Sequence, residues 1–178
     1  MKLIKPPLLI IVFFIGLIGF LPKANLFFLC EKALLEHKVS INYDTLTQTP
    51  LQLSVDKASL LYDTVRFGTL SSLEIKPWIF YNALKIDAII IEGNAFKMLP
   101  KKLDNLVLKH TLLNPHHLFL SALSDLGEIE GFIDLYHQTF ILHVKPSNEG
   151  KKKYADILRQ FSLQKEGFYR YETTISIY

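Results

Sequence analysis

Cysteine occurs once in this chain of 178 residues, as Cys30. A lone cysteine excludes an internal disulfide and any metal cluster built from cysteines. The stretch "LFFLC" that carries it is not a lipoprotein signal, because bulky Leu29 stands where a small residue is needed. Tryptophan also occurs once, as Trp78. Catalytic signatures are missing: there is no phosphate-binding glycine loop, no G-x-S-x-G and no H-E-x-x-H. The adjacent His116 and His117, read on a helix, point about 100 degrees apart and do not share a metal by themselves. His37, His110, His137 and His143 are scattered and read as surface residues. Glu128, Glu130 and Asp134 fall on one strand face, but nothing supplies a nucleophile or an orienting group beside them. These absences point away from an enzyme and imply no cofactor.

Charge of one sign is scarce over most of the length. The chain has 20 Lys and Arg, 17 Asp and Glu and a formal net charge of +3. Lys2, Lys5 and Lys23 sit in the first 23 residues without an acid, so the remainder is balanced at zero. A neutral body lacks the basic footprint of a nucleic-acid binder. Thirteen Phe and eight Tyr, by contrast, are ample for a packed core and argue against disorder.

The N-terminus reads "MKLIKPPLLIIVFFIGLIGFLPK". Leu8 to Leu21 is an uninterrupted apolar run of 14 residues, and Pro6 to Pro22 is an uncharged span of 17. A bilayer crossing takes ~20 apolar residues, with ~17 the lower limit. A cleaved signal peptide is the rival reading, but neither "PKA" nor "LIG" makes a good small-x-small cleavage site. Residues 1–23 therefore read as a cytoplasmic start and a transmembrane anchor. Lys2 and Lys5 ahead of the span keep the N-terminus cytoplasmic and place the body in the periplasm, attached to the inner membrane. Residues 24–38 follow as an amphipathic helix. Leu26, Phe27 and Leu34 lie on its apolar stripe, either as an interaction surface at the membrane or a partner, or as a cover over one end of the core.

From residue 39 to 178 the period changes to two, and the body reads as a periplasmic β-rich domain. "LQLSV" alternates Leu51, Leu53 and Val55 with polar residues, and "TVRFGTLSSLEIK", "ALKIDAIIIEG" and "LDNLVLKHTLL" are further strands. "GEIEGFIDL" and "TFILHV" form an antiparallel hairpin turned by "HQT". Two helices interrupt the pattern. "NPHHLFLSALSDLG" offers Asn114 as N-cap, Pro115 at the first helical position and Gly127 as a stop. "EGKKKYADILRQFS" places Lys151, Lys152 and Lys153 at a helix start, as a contact for an acidic partner or head group or as a solvated face.

Three Glu-Gly pairs, each followed closely by Phe, contain Gly93, Gly131 and Gly167. Placing Pro77 on Pro115 superposes the segments before the first two pairs without a gap. The implied unit is a helix or turn leading into a strand, with a glycine that bends the sheet or lets backbones approach. The fold class expected is mainly β (α+β): an N-terminal transmembrane helix, then a curved antiparallel sheet with a few short helices.

The segments "LEIKPWIFYNALKI" and "LGEIEGFIDLYHQTFILHVKPS" share Pro, an apolar stretch and Leu, and the second adds Gly-x-Ile-x-Gly-x-Ile-x-Leu. With the basic start and single span, this pattern resembles the general secretion pathway protein N family, membrane-anchored periplasmic accessories of type II secretion. It is also similar to the repeat style of AsmA-type envelope proteins. The first resemblance implies a non-enzymatic accessory of a secretion, pilus or DNA-uptake machine that contacts other machine subunits. The second implies a lipid-binding or lipid-transfer module whose apolar groove takes phospholipid. Neither implies catalytic residues.

Overall fold

Alternation becomes visible architecture once the strands are in register. The computed structural model describes residues 23–78, 80–92 and 100–175. The expected membrane anchor lies outside them, and so does Gly93. The elements are α1 (Lys23–Glu36), β1 (Val39–Gln48), β2 (Leu53–Tyr62), β3 (Val65–Pro77) and β4 (Tyr81–Ile91). They continue as β5 (Lys102–Thr111), β6 (Asn114–Ser124), β7 (Gly127–Asp134), β8 (Thr139–Pro146), α2 (Asn148–Lys153), α3 (Ala155–Leu158), β9 (Ser162–Leu163) and β10 (Tyr169–Thr174). All ten strands belong to one antiparallel sheet in the order β1-β2-β3-β4-β5-β6-β7-β8-β10-β9. Among the described residues the protein is mainly β, as its alternation leads one to expect.

The register explains why the sheet has two unlike faces. Residues paired directly across antiparallel strands point to the same side. One such row runs Leu53, Ile75, Leu84, Leu108, Leu120, Gly131, Leu142, Tyr171 across eight strands. A second runs Leu46, Val55, Leu73, Ile86, Leu106 across β1 to β5. The opposite side carries Ser72, Asp87, Glu130, His143 and Arg170 on the intervening positions. The sheet is thus aliphatic on one side and mostly polar on the other.

The apolar side has two buried clusters. The first joins Phe27 of α1 to Leu53, Val55, Ala58, Leu70, Leu73 and Ile86. The second joins Ala122, Leu126, Ile129 and Val144 to Tyr154 and Leu158 of the C-terminal helices. Leu106 of β5 packs against both, so the two make one continuous core. Burial at about 25 cal/mol per Å² of apolar surface is the main force holding the helices on the sheet.

Three expectations are corrected. The segment from Asn114 to Gly127 is not a helix but strand β6, a two-residue turn and the start of β7. Its Leu118, Leu120 and Ala122 fit a strand face as well as a helix stripe, and paired neighbours on both sides decide for the strand. Pro115 is tolerated because the pairing with β5 is irregular between His110 and Thr111, so no ladder bond asks for its missing N–H. The single C-terminal helix is instead two short ones, with Lys151 to Lys153 in the last turn of α2 rather than at a start. There the cations complement the helix dipole. Third, Pro77 ends β3 whereas Pro115 lies near the start of β6. Segments superposed on these prolines occupy unlike places, so they do not form a repeated unit.

Candidate functional site

The aliphatic face is the candidate site, and the helices determine how much of it stays accessible. Helix α1 runs beside β1, from Ala24 near Gln48 back to Lys38 at the strand's other end; the Ala24 N–H donates to Gln48 Oε1 at 3.3 Å. Phe27 is its anchor, 4% exposed and edge-on to the Tyr43 ring at 5.6 Å. Of the two readings of this stripe, an interaction surface or a cover over the core, the Phe27 ring takes the second. Leu34 is exposed at the far end of α1, and Leu26 lies in the helix with its side chain outside the description. Phe28, Leu29 and Leu35 are exposed on α1 as well.

At the other side, α2 starts at an N-cap, where the Ser147 hydroxyl accepts from Gly150 N–H at 2.9 Å. Tyr154 and Leu158 then cover Ala122, Ile129 and Val144. Asp125 fastens this cover to the β6–β7 turn. Burial opposes its charge, but hydrogen bonds donated by Lys153 and Tyr154 hold its carboxyl below the usual range. The same Asp125 contact raises Lys153, whose amine lies 2.7 Å from the carboxylate and 4.8 Å from the Tyr154 ring centre. Lys153 is therefore a fastener, while Lys151 and Lys152 are exposed.

Between the two covers, Leu84, Leu108 and Leu118 are half-buried on the aliphatic face. With Ile75 and Pro77 they line an open recess of about 150 Å³ at the end of the sheet where α1 begins. Chemically the open recess offers apolar contact. Asn82 and His110, on the same face as Leu84 and Leu108, bring polar groups to its rim.

The polar face is laced by short pairs. The Lys85 amine, then the Ser72 hydroxyl, hold Asp87 below the usual carboxylate range. A shallow hollow of about 330 Å³ contains Lys109, Phe119, Glu130, Phe132 and His143. Glu130 and His143 are cross-strand partners, while Glu128 faces Lys145 at 3.9 Å. Asp134, expected beside the two glutamates, is committed to its turn: its carboxylate accepts from the backbone N–H groups of Tyr136 and His137, both at 2.9 Å. His116 and His117, expected on a helix, point to opposite sides of β6. Among the described residues no group of three or more His, Cys, Asp or Glu is placed to hold a metal.

The remaining glycines have separate roles. At Gly131 a Cβ would stand 2.5 Å from the Ile141 carbonyl oxygen, so its lack of a side chain permits close strand approach. Gly167, with φ of +82°, sits in the turn before β10 and has open space around it. Sequence reasoning missed the recess, because its walls come from four strands that only the register unites.

Comparison with protein-family models, curated proteins and solved structures finds no match for this chain. Among the described residues no helix is long and apolar enough to cross a membrane.

Proposed function

We propose that this chain is a non-enzymatic, membrane-anchored envelope protein whose sheet holds an apolar ligand, the acyl chain of a phospholipid. One observation carries the reading. The aliphatic row is continuous over eight strands, whereas α1 and the C-terminal helices pack against its two ends. The half-buried leucines between them border a recess with aliphatic walls. The apolar N-terminal run supports a location on the inner membrane with the body in the periplasm, next to a phospholipid source. The AsmA-type resemblance agrees with this use of the sheet.

The test is native mass spectrometry of the full chain, extracted from membranes in mild detergent. Phospholipid adducts are expected on the wild type and should be lost in Leu118→Trp, which fills the recess. A wild type free of lipid, or adducts that persist in the filled variant, would count against this reading. A second reading, docking to subunits of a secretion, pilus or DNA-uptake machine, is favoured by exposed Phe28, Leu29 and Leu35 on α1. Under it the purified protein is lipid-free, and crosslinks from intact membranes run from that helix to other subunits.

A further inference from the structure

Antiparallel order sends successive turns to alternate ends of the sheet. Four turns, at 49–52, 78–80, 112–113 and 135–138, gather at one end. Leu112 N–H donates to the Phe80 carbonyl at 3.1 Å, joining two of the turns, and Leu135 N–H donates to the carbonyl of His116 in β6 at 2.8 Å. None of these four segments contains Asp, Glu, Lys or Arg. Their neighbourhood instead exposes Leu51, Trp78, Phe80, Tyr81, Leu113 and Tyr136, with Leu113 93%, Tyr136 74% and Phe80 69% accessible. The other end is the reverse. Its connections carry charges of both signs, among them Asp63, Glu92, Lys101, Asp125, Glu149 and Lys151 to Lys153. Tyr62 and Val65 are exposed there too, but they flank Asp63, which faces Lys38 at 3.9 Å.

Helix α1 begins at the uncharged end, since Ala24 bonds to Gln48, the last residue of β1. In the sequence the uncharged span from Pro6 to Pro22 leads directly into Lys23, so no spacer separates it from α1. We infer that this end of the sheet rests on the lipid surface, with the six exposed side chains in the bilayer interface. Trp and Tyr concentrate at that depth, where an apolar ring and a polar edge are both satisfied. Charged connections, which would have to be desolvated in the interface, are confined to the far end. The recess lined by Leu84, Leu108 and Leu118 lies at the same end of the aliphatic face, close to that surface. The inference rests on the membrane anchor of the proposed function and not on lipid occupancy of the recess.

Trp78, the single tryptophan, makes the test direct. The full chain is reconstituted into phosphatidylcholine–phosphatidylglycerol vesicles, some with bromine on the upper acyl chain, and compared with aqueous iodide as quencher. Brominated lipid should lower Trp78 emission about two-fold, as for a ring about 5–10 Å into the interface, and iodide should have little effect. Trp78→Phe/Tyr62→Trp moves the reporter to the far end, where iodide should quench and brominated lipid should not. Iodide-accessible Trp78 in vesicle-bound protein overturns the inference and points to a protein partner. Equal lipid quenching at both positions also overturns it, because the domain then lies flat. A chain that fails to float with vesicles removes the anchor and this inference together, while leaving the native-mass-spectrometry result on the recess standing.

Discussion

Asp134 shows how one side chain holds a turn. It takes two backbone N–H bonds on Oδ1, while His137 Nδ1 lies 2.7 Å from Oδ2. The backbone bond from His137 is the largest influence, and the carboxyl is lowered to about 2. A carboxyl depressed in the folded state contributes stability above its unfolded pKa of about 4, and loses it as pH falls through the folded value. Asp134→Ala should therefore lower the melting temperature at neutral pH. Its deficit against wild type should narrow between about pH 4 and 2, where the native carboxylate takes up its proton. A deficit constant over that window would show that the charge is not what holds the turn. The motif "GFIDLYHQT" was readable as a hairpin beforehand, but not the commitment of Asp134 to it. That depends on which backbone groups the turn leaves facing inward.

At the scale of elements, α1 depends on a single ring. Phe27 enters the first core cluster, and Phe28 and Leu35 point elsewhere. Phe27→Ala should cost about 3–5 kcal/mol, read as a lower denaturation midpoint. A loss under about 1 kcal/mol would mean that α1 is held mainly by backbone contacts instead. The helix itself was legible from apolar spacing, with bounds close to those observed. Which residue faced inward was not, because Leu26, Phe27 and Leu34 share a stripe and the register with β1 selects among them. The same ambiguity made β6 read as a helix. Its apolar positions satisfy both periods, and pairing with β5 and β7 settles the matter.

For the whole molecule, stability should be concentrated on one side and the contact surface at one end. Leu53 is fully buried at the start of the eight-strand row, whereas Leu113 stands at a turn tip. Leu53→Ala should cost about 2–5 kcal/mol and Leu113→Ser within about 0.5 kcal/mol, both by chemical denaturation. Comparable losses would mean that the tips pack into the fold. An apolar residue at a tip that adds nothing to folding remains available for a surface outside the chain.

Period-two alternation by itself determined that this protein is mainly strand, because adjacent side chains in a strand must point to opposite sides. Composition likewise determined an uncharged, apolar N-terminal run and a neutral body. Only the tertiary structure decided that the leucines of eight strands form one row, that Phe27 is core, and that the uncharged turns share an end with the start of α1. Those facts depend on register and strand order, which join residues far apart in the chain and leave no local trace.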